Sequence, residues 1–532
     1  MEKKRQLLLT IGLVLILVLM IVGISYAAFK FTGTGKKENT ITTGAITMEY
    51  TESTNTISMN NALPTTDATG KVRLTAGEYF DFTLSGTIKG SENINWEIAA
   101  EDVTTATKKI DGKYIKLYLT SLDENNNETE VMAPTVYTAE STENTYTGRP
   151  ANMMSLAKGT TSTSFSTKYR LRMYVDESYN PQGDGGNLAF SIKINAYGKT
   201  GDKMPEPTAA EVLVAKANAE DLDYNSATDA QKKEMWTFTH DATEQTTVLT
   251  DYRYIGADPN NYVKFNDELW RIIGVFDTDD GTGKVEKRLK IIRNESIGSY
   301  SWDNKDTTTG AENNYGKNEW AEARLNYLLN PGHESETAGE SLYWNRGTGN
   351  CYKGYQNATK TCDFTTTGLT EKAKAMIGNA KWYLGGTARY NSSSNGLASH
   401  WYKYERGTKV YSGRSTSWTG KVGLMYLSDY GYATSGGATT NRASCLAKEL
   451  TKWDDSSVSD CKDNDWMYNS SKSQWTITPK FNTNGVFYVD NTGYVNSNIV
   501  YGDCGVRPVV HLNSAIKVIT GSGTKESPYI LE

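Results

Sequence analysis

The hydrophobic pattern opens with one long apolar stretch and then changes period. From Leu7 to Ile24 only Thr10, Gly12 and Gly23 interrupt Leu, Ile, Val and Met, and Lys3, Lys4 and Arg5 stand ahead of the run. Each such residue gains about 0.3–0.6 kcal/mol on entering lipid, so insertion of the whole run is favourable by about 5 kcal/mol. The basic cluster stays on the cytoplasmic side, which sends the rest of the chain outward. Two outcomes fit. Ser25-Tyr26-Ala27 offers small residues for cleavage after Ala27, and the run is also just long enough to span a bilayer uncleaved. Residues 1–28 are therefore read as a signal peptide or signal anchor, with 7–28 the membrane contact if it is retained.

From residue 29 to 199 the period is two. Tyr79-Phe80-Asp81-Phe82-Thr83-Leu84, Ile94-Asn95-Trp96-Glu97-Ile98, the stretch from Tyr114 to Leu119 and the stretch from Tyr169 to Val175 all alternate. Leu188 to Asn195 does so less cleanly. Many half-buried strands separated by turn residues predict a β-sandwich. Gly198 to Pro207 has the composition of a linker, Thr208-x-x-Glu211 is a capping box opening a short helix, and a second helix is expected over 229–236. Residues 200–250 are read as a linker with short helices.

Residues 251–532 change texture. Tyr262–Phe265 and Leu269–Phe276 predict a hairpin about Asn266-Asp267, and Leu289–Arg293 a third strand. Asn318 is placed to cap a helix running to Leu329, with Ala321, Leu325 and Leu328 on one face. Loops rich in Gly, Ser, Thr and Tyr follow, with short strands near Gly423, Phe487, Tyr494 and Val506. The fold class expected is mostly β, with an α+β C-terminal domain.

Composition adds three constraints. A net charge of −6 gives no global electrostatic case for nucleic-acid binding. Abundant Thr and Tyr suit half-buried strands. With only 4 His and 5 Cys, any metal or nucleophilic site must come from very few side chains. Cys351 and Cys362 flank one short loop and Cys445 and Cys461 another. In an oxidising exterior both pairs are expected as disulfides, each worth about 3 kcal/mol in the chain-entropy model. Cys504 is left over and reads as a buried small residue. The four histidines are isolated, without zinc spacing, and read as surface or strand-end residues. Asp277, Asp279 and Asp280 offer clustered carboxylates for calcium, against the simpler reading of a solvated turn.

Two resemblances extend this reading. Tyr26-Ala27-Ala28-Phe29 followed by Asn39-Thr40-Ile41-Thr42-Thr43-Gly44-Ala45-Ile46 resembles the start of TasA/camelysin-type exported matrix proteins. That resemblance implies a jelly-roll-like sandwich and fibre assembly by donation of an N-terminal strand. In the C-terminal part, Tyr254-Ile255-Gly256-Ala257, Leu269-Trp270-Arg271-Ile272-Ile273-Gly274, Gly423 to Gly431 and Gly505-Val506-Arg507-Pro508-Val509-Val510 resemble an uncharacterised extracellular module of Gram-positive bacteria. The closing stretch, with Trp475–Pro479 and Phe487–Val495, is similar to C-type-lectin-like domains of the formylglycine-generating-enzyme type. There these strands form the ligand face, so the resemblance implies binding at Tyr488, Asp490, Asn491 and Tyr494, with Trp475 and Phe487 in the core. The enzymes of that fold use two cysteines just before the final strand; only Cys504 stands here. The aromatic-rich span from Trp382 to Tyr432, set among small polar residues, is a further candidate surface.

The expectation is an extracellular, membrane-anchored or secreted protein for adhesion or ligand display, without catalysis, whose ligand is a glycan or a protein. The alternatives are a structural subunit of a fibre or matrix, with self-association, and a wall- or glycan-acting hydrolase.

Overall fold

The structure, a computed structural model, describes residues 28–32, 39–43, 46–52, 57–60, 64–72, 79–88, 93–179, 189–240, 249–305, 316–386, 396–410, 413–481 and 484–532. The apolar run at 7–24 lies outside them; among the described residues no helix is long and apolar enough to cross a membrane. The chain is mostly β, and it divides into two compact units between Pro205 and Glu206.

The first unit is two sheets around one core. One sheet has the order Ala28–Thr32, Ala189–Thr200, Ile94–Asp102, Met154–Thr161, with Ile57–Asn60 also paired to Ala189–Thr200. The other runs Asn39–Thr43, Ile46–Glu52, Tyr79–Ile88, Phe165–Asp176, Ile115–Leu122, Glu128–Val136, with Pro64–Thr65 lying parallel to the end of Phe165–Asp176. Alternation explains the packing. Ile98, Leu156 and Ile192 from the first sheet meet Phe82, Leu117 and Leu171 from the second. The intervening positions face outward, where charge is paired: Arg170 Nε and Nη2 donate to Asp81 at 2.7 and 2.8 Å, and both Nη groups of Arg172 donate to Glu128 at 2.7 Å. Ala28, placed at the end of the leader by its sequence, begins a strand that pairs with Lys199.

The second unit holds a nine-stranded and a five-stranded sheet with short helices around a larger core. Val422–Gly423, Val509–His511, Val285–Arg293, Glu268–Asp279, Tyr262–Phe265, Tyr529–Leu531 and Val518–Thr520 follow one another in the larger sheet. Leu249–Tyr254 joins it on Glu268–Asp279 and carries Met235–His240. The predicted hairpin is present, and Asn266 and Asp267 take φ of 57° and 62°, the left-handed pair a tight two-residue β-turn demands. The smaller sheet has the order Ser299–Ser301, Asp503–Gly505, Gln474–Pro479, Gly485–Val489, Val495–Ile499. Both expected disulfides are formed, Cys351–Cys362 and Cys445–Cys461.

The described part of 206–250 is a connector docked on the second unit, with Ala209, Ala210, Leu213 and Met235 in its core. Two expectations are corrected. The second helix stops at Lys233, and Met235 and Trp236 belong to a strand. Asn318 does not cap a helix. A single 3₁₀ turn at Trp320–Glu322 precedes Arg324–Leu329, whose first amide is satisfied instead by Asp303 Oδ1 accepting from Arg324 N at 3.3 Å.

Candidate ligand-binding crevice

The described rings of the aromatic span face mostly inward. Of its described residues, Trp382, Trp401, Tyr402, Tyr426, Tyr430 and Tyr432 are buried and Tyr383, Tyr404 and Trp418 half-buried. Helices Ala398–Glu405 and Leu427–Tyr432 pack on one another and turn these rings inward. Tyr390 and Tyr411 lie outside the described residues.

The predicted hairpin residues are more spread than alternation suggests. Phe487 and Trp475 are in the core, as expected of that face. Tyr488 is half-buried against the Trp475 ring, 6.1 Å between centroids, and burial pushes its hydroxyl up to about 12. Asp490 Oδ1 accepts from the amide and hydroxyl of Thr492 at 2.9 and 3.0 Å, so it closes its own turn. The turn is also held from outside: Tyr468 donates to Asn491 O at 2.9 Å and Tyr430 to Gly493 O at 2.6 Å. Tyr494 is half-buried and accepts from Asn496 Nδ2 at 2.8 Å. Asn491 alone of the four is exposed.

At the opposite end of the same strand pair the structure assembles a narrow crevice, open to solvent and without free room for a water molecule between its walls. Its apolar walls are the indoles of Trp302 and Trp320, 5.1 Å apart, with Leu384, Ile477 and Pro479. Trp302 is fixed by its Nε1 donating to Thr476 O at 3.1 Å. Asn318 holds the hairpin's open end, its Nδ2 donating to Lys480 O at 2.8 Å and Gly485 O at 2.9 Å, while its Oδ1 accepts from Arg414 Nε at 3.2 Å. Glu319 Oε2 accepts from Ser415 N at 3.2 Å, and burial raises its carboxyl above the ordinary range. The segment is set in place by Asp303, whose Oδ2 accepts from Lys317 N at 2.8 Å; Gly316, at φ +74°, passes so close that a Cβ would lie 2.8 Å from that carboxylate. The indole N–H of Trp320 is buried without a hydrogen-bond partner. Trp236, Trp401 and Trp453 share that condition.

Sequence reasoning missed this site. Trp302, Glu319 and Arg414 are far apart along the chain in loops without a motif, and Asn318 was read as a cap. Two indoles, an N–H donor, a carboxyl and a guanidinium are the groups that stack on a small ring and hydrogen-bond its hydroxyls, but with Trp302 and Trp320 buried the crevice must widen before a ring can enter.

The remaining candidates resolve otherwise. Asp279 Oδ1 accepts from the amides of Gly281 and Gly283 at 2.8 and 3.0 Å, Asp280 Oδ1 from the amide and hydroxyl of Thr282 at 2.8 and 2.6 Å, and Asp277 pairs with Lys287 at 3.1 Å. The calcium reading is corrected: these carboxylates serve their turn and an exposed ion pair, and they do not converge. Among the described residues no group of three or more His, Cys, Asp or Glu is placed to hold a metal. Cys504 is buried, and burial pushes its thiol up to about 12, which keeps it protonated rather than nucleophilic. His240 and His511 sit at strand ends but inside the molecule, His240 beside Asp251 at 3.1 Å and His511 beside Thr278 at 3.2 Å. They were not expected to be buried; the ring stacked 3.7 Å from Tyr402 shows why His240 is. Compared with known proteins, the chain matches no family model, no curated protein and no solved structure.

Proposed function

We propose that this is an extracellular surface protein for adhesion or ligand display, whose second unit binds a glycan unit in the Trp302–Trp320 crevice without chemical conversion. The observation that carries the reading is the buried, unpartnered Trp320 N–H in a crevice walled by two indoles and edged by Glu319 and Arg414. A sugar presents C–H faces that suit the indoles and hydroxyls that suit the Trp320 donor. Export is supported by the apolar leader and by two disulfides, which persist in oxidising compartments. The lectin-like resemblance of the closing strands points the same way, although it implies the Tyr488–Tyr494 end of the hairpin.

A glycan array probed with the full chain tests the proposal. Arg414→Ala and Trp320→Phe should each weaken the strongest signal about 5-fold or more, the usual cost of losing a central contact. Tyr488→Ala and Tyr494→Ala should leave it unchanged. The reverse pattern would move the site to the hairpin turn, and a silent array would remove the glycan reading.

A second reading, a fibre subunit, is favoured by the strand Ala28–Thr32, the first described segment, which pairs only with Ala189–Thr200 in its sheet. Such a strand taken from a neighbouring copy would join subunits, as the TasA-like resemblance implies. Electron microscopy of the secreted protein separates the two: filaments favour the fibre, dispersed particles the adhesin.

A further inference from the structure

At the centre of the second unit lies a cluster of charges unrelated to the crevice. Lys290, on Val285–Arg293, is 2% exposed and its Nζ touches Asp429 Oδ2. Asp429, on helix Leu427–Tyr432, is equally buried; it accepts from Arg253 Nη1 at 3.2 Å and from the Tyr426 amide at 2.9 Å. Aromatic rings shut water out: the centroids of Tyr426, Phe276 and Trp382 lie 4.2, 5.4 and 5.9 Å from Lys290 Nζ. Beside Asp429, Ser428 donates its amide and hydroxyl to Glu405 at 3.0 and 2.5 Å.

We infer that Lys290 and Asp429 condense to an intramolecular amide, a covalent cross-link between the central strand and the helix packed on it.

The chemistry needs no partner. In the ion pair Nζ passes one proton to the carboxyl; burial without solvent favours the neutral pair, while Lys290, Arg253 and the Tyr426 amide hold Asp429 below the ordinary carboxylate range and oppose the transfer. Burial lowers the proton affinity of the Lys290 amine, which favours the transfer. The Nζ lone pair then attacks Cγ, forming the C–N bond, while the Arg253 guanidinium and the Tyr426 N–H face the oxygens on which negative charge develops. One C–O bond breaks, and that oxygen leaves with the transferred proton and a second proton from Nζ as a single water. Contact between the groups supplies the proximity that makes such a step unimolecular. The product also settles the charge balance. With Lys290 and Asp429 neutral, Arg253 keeps Asp251 at 2.9 Å and Arg406 keeps Glu405 at 3.9 Å. Burial pushes Glu405 up to about 7, so its carboxyl adds little negative charge against Asp429 below neutrality.

The experiment is a tryptic peptide map of the reduced full chain by mass spectrometry. The expected result is no cleavage after Lys290 and one branched species joining the peptides of Lys290 and Asp429, lighter than their sum by one water. In Lys290→Arg only linear peptides should appear. Linear peptides with cleavage after Lys290 in the unmodified chain would overturn the proposal, as would a branched Asp429 peptide persisting in Lys290→Arg. The unmodified protein decides the matter, so the folding of a variant does not enter, and the outcome is independent of what the crevice binds.

Discussion

Both units bury ion pairs, but among different neighbours. In the first, alternation sends aliphatic residues inward and leaves pairs such as Arg149–Glu97, Arg170–Asp81 and Arg172–Glu128 outside that aliphatic core. In the second, Lys290, Arg253, Asp251, Asp429 and Glu405 are taken into a core that also contains most of the tryptophans. Of the chain's 12 Trp, only Trp96 precedes residue 206. A two-sheet sandwich can fill its interior with alternating side chains of one kind. A core bounded by short strands, single-turn helices and loops leaves backbone groups and irregular gaps inside, and these demand large rings and polar side chains that reach them.

The contrast is most directly broken by removing one charge from each unit. Asp251→Ala leaves Arg253 buried without its nearest carboxylate and should cost the second unit about 3–5 kcal/mol. Glu130→Ala removes the exposed pair with Lys71 and should cost the first unit only about 1 kcal/mol or less. Denaturant titration with tryptophan fluorescence reports the second unit; comparable losses in both would deny the distinction. Next in size, reducing agent should destabilise only the second unit, by about 3 kcal/mol for each disulfide, because no cysteine lies before Cys351. Calorimetry with and without reductant checks this, and an equal shift of all transitions would contradict it.

One carboxyl in each unit should respond to pH with opposite sign. Burial raises Glu405 from 4.5 to about 7, so its contribution is complete below pH 4.5 and is lost as pH rises through 7. Hydrogen bonds from Arg172 lower Glu128 from 4.5 to about 2, so its contribution is present above pH 4.5 and is lost as pH falls through 2. Burial drives His511 below its ordinary range, which opposes Glu405 in slope. The test is therefore the difference from Glu405→Gln, which should lose less stability than the parent between pH 4.5 and 7. Parallel curves would refute the assignment. The smallest effect sharpens the core packing: Ile192→Val in the sandwich should cost about 0.5–1.5 kcal/mol, measurable by chemical denaturation, with no change in glycan binding. A change in binding would link the first unit to ligand.

What the sequence determined by itself is local. Period-two alternation located the strands at 79–88, 94–102 and 165–176, the Thr208–Glu211 box located a helix start, Asn266-Asp267 located a turn, and close spacing identified both disulfides. Each of these is governed by neighbours a few residues apart. What only the tertiary structure decided is burial and convergence in the second unit. Aromatic-rich loops look alike whether their rings face solvent or pack on each other, so for Trp382–Tyr432 core and surface stay open in the sequence, and two short helices turn its described rings inward. Asn318 has the residue type of a cap, yet its amide closes a hairpin some 160 residues further on, at Lys480 and Gly485. Trp302, Glu319 and Arg414, like Lys290 and Asp429, meet across separations at which no periodicity operates, because side-chain chemistry is local whereas the position of a side chain in space is fixed by the packing of the whole unit.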